Sequence, residues 1–307
     1  MKTPVLKAYQ QGSTLSTGNK EYRNWLKRYF LNELKDDLAK KGDITSNALL
    51  GEEKATAVIV AKENGILAGV EEVIFLAGLF KVDAKPGRKD GQPITKGTNI
   101  LTLSGKARTL LKIERIVLNM LQRMSGIATA TGGIIRKTRN KVAVAPTRKT
   151  VLKYLDKKAV YAGGGATHRI GLHDAILIKD NHLAILKKKY GNYMEKAVKE
   201  AEKKQKHAGF IGIEVKSLKE ALEAAHAGRK IKKVPFILLL DNMKPNKIRE
   251  IVAALRKEGL RSNVLLEASG GINEKNAGAY AQTGVDVISM GSLTHSVKAL
   301  DMSMEIQ

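Results

Sequence analysis

The sequence predicts an α/β protein in two parts: a small α+β domain followed by a larger β/α barrel. Three observations lead there. Six short apolar runs recur through the second half, and each ends in polar residues or glycine. Helix-period segments separate most of these runs. The first third is built differently, from strand-like alternation and turn-rich loops beside an amphipathic helix. A chain of 307 residues has room for both parts and is too long for one small module.

Residues 21–41 place Trp25, Tyr29, Phe30, Leu34 and Leu38 at helical spacing, and Gly42-Asp43-Ile44-Thr45-Ser46 breaks that pattern. Ala55–Lys62 alternates like a strand. Asn64-Gly65 is a tight-turn pair leading into Ile66–Gly69. Gly87–Thr98 is rich in turn residues, and Ile100–Leu103 reads as another strand. Together these predict an antiparallel sheet. From Arg108 to Met124 the apolar positions again follow a helix, with Gly126 as its expected end.

The later apolar runs are Val142–Ala145, Ala175–Ile178, Phe210–Ile213, Phe236–Leu240, Val264–Leu266 and Val285–Ile288. Runs that are apolar on both faces and alternate with helices indicate a parallel sheet covered by helices. Ser217 with Glu220 has capping-box spacing, and a helix from Pro245 to Glu258 should stop at Gly259. Only six units are visible where a complete barrel has eight, so a doubly wound open sheet is the alternative. Both architectures put the functional site at the carboxyl ends of the strands.

The composition excludes several classes. The chain has no cysteine, which removes disulfides, thiolate metal sites and a cysteine nucleophile. No segment approaches a membrane span, and Met1–Ser13 lacks the apolar core of a signal peptide, so a cytoplasmic protein is expected. Lys plus Arg is 54 against 30 acids, a net charge of +24. Charge of that size acts on solubility and on attraction of anions. Aromatic residues make up only 5% of the chain, which disfavours a single-stranded nucleic-acid partner.

The residues at the strand ends carry the chemistry. The cations are Arg148, Lys149, Lys179 and the nearby His168-Arg169; the acids are Glu214 and Asp241. The glycine turns are Ser269-Gly270-Gly271 and Gly291-Ser292. Arginine grips a planar carboxylate through paired hydrogen bonds, and lysine adds point charge. Glycine turns let backbone N–H groups wrap a phosphate. Two acids among cations suit a divalent metal such as Mg²⁺, or a transition state that becomes cationic. The sum is a site for an acidic substrate and a phosphorylated one.

These residues also resemble a known family. Glu114-Arg115, Leu118-Asn119, Leu121-Gln122 and Ser125–Thr129 are similar to quinolinate phosphoribosyltransferase, as are Thr147-Arg148-Lys149-Thr150, Gly163-Gly164-Gly165, His168-Arg169 and Ile178–His182. Glu214-Val215, Leu240-Asp241-Asn242, Glu267–Ile272 and Gly291–Ser296 follow in the family's order, and Gly42–Ser46 extends the likeness towards the N-terminus. The resemblance covers about residues 25–305. It implies an incomplete, six-stranded β/α barrel (residues 127–295) with an N-terminal α/β sandwich domain (residues 1–126) joined by the tail 296–307.

The implied reaction is phosphoribosyl transfer from phosphoribosyl pyrophosphate to quinolinate with decarboxylation, giving nicotinate mononucleotide, pyrophosphate and CO₂ in NAD biosynthesis. The resemblance implies that Arg115, Arg148, His168, Arg169 and Lys179 bind quinolinate, with Arg115 supplied across a homodimer interface. It assigns Lys149, Glu214 and Asp241 to catalysis at the ribose and to the Mg²⁺–pyrophosphate side, with metal contact direct or indirect. Ser269, Gly270, Gly271, Gly291, Ser292 and His295 would hold the 5′-phosphate.

Three departures stand out. Pro146 replaces an Asp before Thr147. The segment Val151-Leu152-Lys153-Tyr154 is two residues shorter than usual and lacks Thr-Pro-Gly. Gly212 stands where a second Glu is common. The altered loop motivates a sibling enzyme acting on nicotinate or another ring acid as the alternative. A nucleic-acid-binding protein on an enzyme scaffold is the remote one.

Overall fold

The computed structural model describes residues 3–307, so the reading of Met1 and Lys2 lies outside the described residues. The chain divides into two compact units. The sheet unit comprises Gly12–Gly132, Tyr154–Gly164 and Val297–Gln307. The barrel unit comprises the residues up to Gln11, Gly133–Lys153 and Gly165–Ser296. Among the described residues, no helix is long and apolar enough to cross a membrane.

Helix α1 (Thr3–Tyr9) opens the chain and belongs to the barrel unit. In the sheet unit, α2 (Lys20–Leu38) starts at Asn19, whose side chain accepts hydrogen bonds from the N–H groups of Glu21 and Tyr22. Its buried stripe is Tyr22, Leu26, Phe30 and Leu34, one residue per turn. Phe30 and Leu34 lie in it as expected, whereas Leu38 is half-buried and Trp25 and Tyr29, also half-buried, stack on each other. Asp43 caps the short helix α3 (Ile44–Leu49) through the N–H of Ser46.

Strand β1 (Lys54–Ala61) comes next, then β2 (Gly65–Ile66), α4 (Val70–Leu79), β3 (Asp83–Pro86), β4 (Pro93–Ile94) and β5 (Asn99–Lys106). β1 pairs antiparallel with β5, and β5 with β3, confirming the antiparallel sheet. β2 and β4 form a separate two-stranded ribbon.

Helix α5 (Ala107–Lys137) corrects the expectation at Gly126, because it runs straight through that glycine. A Cβ on Gly126 would lie 2.1 Å from the carbonyl oxygen of Lys298. The glycine is there for close approach of the C-terminal segment and does not end the helix.

The barrel unit continues with β6 (Ala143–Pro146). The chain then leaves for α6 (Lys153–Ala162), most of which packs in the sheet unit. It returns through Gly163–Gly165 to β7 (Ile176–Ile178). There follow α7 (Asp180–Lys187), α8 (Tyr193–Lys203), β8 (Ile211–Val215), α9 (Leu218–Gly228), β9 (Phe236–Asp241) and α10 (Pro245–Lys257). The unit ends with β10 (Leu265–Ser269), α11 (Ala277–Ala281), β11 (Val287–Met290) and α12 (Ser292–His295). A last strand, β12 (Met302–Ile306), pairs with β1 in the sheet unit.

Six parallel strands lie in the order β6-β11-β10-β9-β8-β7. β6 and β7 are the two edges, so the barrel is incomplete. The excursion through α6 separates them in sequence. Ser217 caps α9 as expected through the N–H of Glu220, while the Glu220 carboxylate accepts from the N–H of Lys216. Gly259 follows α10 with φ +69°, a conformation natural to glycine.

The division of the chain departs from a split at residue 126 in two places. α1 is part of the barrel unit because Val5, Ala8 and Tyr9 are buried among Ala143, Phe210, Ile237 and Val287. The α6 segment is part of the sheet unit because Lys158 donates to Glu71 and Glu72 there, and Arg123 grips Asp156 with two hydrogen bonds of 2.8 Å.

Candidate active site

Register places the site. Ser289 is opposite Ser269, Ser269 is opposite Asp241, and Met290 is opposite Pro146. The carboxyl ends of these strands therefore lie at one end of the sheet. Arg148 and Lys149 follow β6 and are exposed. Lys149 is fixed by its backbone: its carbonyl accepts from Thr294 Oγ1 at 2.7 Å, and its N–H donates to Thr147 Oγ1.

Lys179 stands just before α7, and its Nζ lies 3.5 Å from Glu214 Oε1. The other Glu214 oxygen accepts from the N–H of Asp180 at 3.1 Å. Lys216 pairs with Asp180 at 2.8 Å and also feels the charge of Asp241 and Glu214. Asp241 Oδ2 accepts from the side-chain amide of Asn242 at 3.0 Å. Two ion pairs, Lys179–Glu214 and Lys216–Asp180, thus stand side by side at the ends of β7 and β8, joined by the bond from the Asp180 N–H to Glu214.

His168 and Arg169 are almost wholly buried. Burial pushes the Arg169 guanidinium down from its ordinary value, and the neighbouring Arg148 adds to the shift. Arg169 makes one long contact, to the carbonyl of Ala175 at 3.4 Å, and its Nε–H has no partner. A buried cation short of acceptors is costly unless an anion arrives to meet it.

His168 has both ring nitrogens engaged. Nδ1 accepts from the N–H of Arg169 at 2.6 Å, and Nε2 lies 3.3 Å from Glu267. The first bond leaves the ring proton on Nε2, facing the carboxylate. Glu267 is also hydrogen-bonded by the hydroxyls of Ser289 and Tyr9. Burial alone would raise the Glu267 carboxyl; His168 and the donated hydrogen bonds outweigh burial and hold it below the usual range.

The turn after β10 needs its glycine. Gly270 has φ +87°, and a Cβ there would fall 2.2 Å from Asn242 Oδ1 and 2.8 Å from the Asn242 backbone nitrogen. Gly271 has φ +64° with open space around it. Gly291 approaches His295 and Thr147, whose nearest atoms would lie 3.0 and 3.3 Å from a Cβ. Ser292 begins α12, and His295 is exposed, with Nδ1 2.7 Å from Ser296 Oγ. Arg115 belongs to the sheet unit, exposed on α5.

Sequence reasoning missed the roles of Glu267 and Tyr9. Glu267 had a signal of its own, as a lone acid inside the apolar run Leu265–Ala268. Tyr9 had none.

Among the described residues, no three His, Asp or Glu side chains gather to hold a metal ion. Glu214 and Asp241 still suit Mg²⁺, which keeps most of its water and commonly takes one or two carboxylates together with substrate phosphates.

Residues 127–305 match the family model described as quinolinate phosphoribosyl transferase, C-terminal domain, and residues 43–125 match that for the N-terminal domain. A probable carboxylating nicotinate-nucleotide pyrophosphorylase of Methanothermobacter thermautotrophicus is 42% identical over 271 residues, covering 86% of this chain and 93% of that protein. The corresponding Bacillus subtilis protein is 40% identical over 272 residues, covering 86% and 88%. The solved nicotinate-nucleotide pyrophosphorylase of Francisella tularensis superposes with a TM-score of 0.80 at 33% identity, over 92% of this chain and 96% of that one. With the six-stranded incomplete barrel, the antiparallel sheet and the motif residues in place, the chain belongs to the quinolinate phosphoribosyltransferase family.

Proposed function

We propose that this protein joins quinolinate to phosphoribosyl pyrophosphate and releases pyrophosphate and CO₂, leaving nicotinate mononucleotide. The observation that carries this reading is Arg169: a buried guanidinium beside Arg148, with an unpartnered Nε–H. Two adjacent arginines fit two adjacent carboxylates, and a monocarboxylate such as nicotinate would satisfy only half of that demand.

In the proposed reaction the pyridine nitrogen attacks the ribose carbon while the bond to the pyrophosphate oxygen breaks. Positive charge builds on the sugar, and the carboxylates of Glu214 and Asp241 are the groups that stabilise it. The carbon–carbon bond to the carboxylate next to nitrogen then breaks. Its electron pair stays on the ring carbon, held by the quaternised nitrogen until a proton arrives. Lys149 and Lys179 supply positive charge on the anionic sides of the site, and the turns at Gly270 and Gly291 offer backbone N–H groups to the 5′-phosphate. Mg²⁺ held at Glu214 and Asp241 would neutralise charge on the leaving pyrophosphate. The proposal includes a homodimer in which Arg115 of one subunit serves the other's site; Arg115 is free for this in being exposed.

Purified protein given quinolinate, phosphoribosyl pyrophosphate and Mg²⁺ should release CO₂ and nicotinate mononucleotide in equal amounts. Turnover of nicotinate in preference to quinolinate, or of neither, refutes the assignment. For the dimer, mixing Arg115→Ala with Asp241→Asn protein should restore activity that neither has alone, because mixed dimers carry one intact site.

A further inference from the structure

We propose that Tyr9 is a positioning residue for the dicarboxylate site, acting through Glu267 and the His168–Arg169 turn; this rests on the reading of Arg169 as a quinolinate ligand. Helix α1 buries Val5, Ala8 and Tyr9 against Ala143, Phe210, Ile237 and Val287 of the barrel unit. The Tyr9 ring stacks on Phe210, with centroids 5.2 Å apart, and meets the His168 ring edge-on at 4.7 Å.

The contacts of the N-terminal segment converge on one turn. The Tyr9 carbonyl accepts three hydrogen bonds: from Thr167 N–H at 2.9 Å, Thr167 Oγ1 at 2.7 Å and His168 N–H at 3.1 Å. The N–H of Gln11 donates to Thr167 Oγ1 at 2.9 Å. The Gln11 amide donates at 3.0 Å to Asp174 Oδ2, which also accepts from Ile170 N–H at 2.6 Å. The turn from Thr167 to Asp174 is therefore tied to residues 9–11 on both sides of Arg169.

The turn needs such ties. His168 has φ +55°, a left-handed conformation that strains a residue carrying a side chain. Such a conformation persists only when its surroundings over-determine it. Three restraints do so here: the Tyr9 carbonyl on the His168 N–H, the Tyr9 ring against the imidazole, and Glu267 on Nε2. The Tyr9 hydroxyl completes the set by donating to Glu267 Oε2. With the imidazole fixed, Nδ1 accepts from the Arg169 N–H and sets the direction in which the guanidinium leaves the turn. An arginine already aimed binds a planar dicarboxylate without first losing that freedom.

Tyr9→Phe removes the hydroxyl and keeps the ring. The expected result is a KM for quinolinate raised about tenfold, the size of one hydrogen bond to a charged group, with the KM for phosphoribosyl pyrophosphate unchanged. Calorimetric binding of benzene-1,2-dicarboxylate, which keeps the two carboxylates and cannot react, should weaken by the same factor. A variant that melts earlier but keeps both KM values shows a purely structural tyrosine and overturns the proposal. Gln11→Ala cuts one tie on the half-exposed side of the turn, so it serves if Tyr9→Phe fails to fold. It should weaken dicarboxylate binding two- to threefold, less than Tyr9→Phe because the lost bond to the Asp174 carboxylate is only part-buried and water can replace it, and wild-type binding overturns the proposal equally. Wild-type protein that binds neither dicarboxylate refutes the proposed function and this inference together. Wild-type protein that binds them as tightly as Tyr9→Phe refutes the inference alone.

Discussion

For two of the three glycines in helix α5, Gly126 and Gly133, the same substitution should act in opposite directions. Alanine is favoured over glycine in a helix interior by about 1 kcal/mol. At Gly133 nothing lies within 4 Å of the added methyl group, so Gly133→Ala should realise that gain. At Gly126 the methyl carbon would fall 2.1 Å from Lys298 O and 3.1 Å from Ala299 Cα. Both are backbone atoms and cannot rotate away.

An ordinary carbon–oxygen contact is about 3.3 Å, so the C-terminal segment would have to retreat by roughly 1 Å. That movement strains the bond from Leu300 N–H to Gln122 O at 2.9 Å and the bond from the Gln122 amide to Met302 O at 3.0 Å. Overpacking costs about 1–3 kcal/mol and each weakened hydrogen bond about 1 kcal/mol more, against the 1 kcal/mol of helix propensity. The net expectation is a loss of about 3 kcal/mol for Gly126→Ala and a gain of about 1 kcal/mol for Gly133→Ala. Urea unfolding followed by circular dichroism reads both. A Gly126→Ala midpoint at or above wild type refutes the reasoning, since only helix propensity would then be acting.

Other perturbations test the ion pairs and the site. Lys158→Met should destabilise the sheet unit by about 3 kcal/mol, because Glu72 would stay buried without its cation; an unchanged melting temperature contradicts this. Glu267 is held below its unfolded value of about 4.3, so its contribution is present above that pH and is lost as pH falls through the folded value. The stability gap between wild type and Glu267→Gln should therefore be wide at neutral pH and narrow in acid, and a gap independent of pH counts against it. Arg169→Lys keeps the charge but loses the planar fork, so the KM for quinolinate should rise tenfold or more, the scale of a lost charge-assisted bond, while phosphoribosyl pyrophosphate binds as before. Chelation with EDTA should stop turnover, and added Mg²⁺ should restore it; full activity in EDTA would remove the metal from the proposal.

Much of this architecture is legible along the chain. The six strands are apolar on both faces, a local pattern that survives in any buried parallel sheet, and each run in the sequence corresponds to one of them. Arg148, Lys179, Glu214 and Asp241 follow or end those runs, so their gathering at one end of the sheet follows from strand direction alone. The helix stripe of α2 was legible at Phe30 and Leu34 and not at Tyr22 and Leu26, because Trp25 and Tyr29 mimic core positions while lying half-buried. Gly126 misled for a related reason: its meaning depends on Lys298, which no local window contains.

The sequence by itself determined the element types, the six buried parallel strands and the identity of the charged groups. Hydrophobic period and residue chemistry are properties of neighbours along the chain. Only the tertiary structure decided that α6 leaves the barrel for the sheet unit, that α1 enters the barrel, and that Glu267 collects Tyr9, Ser289 and His168 around one buried carboxylate. Tyr9 and Glu267 are 258 positions apart, and their bond exists because burial makes an unpaired carboxylate expensive wherever its partners come from.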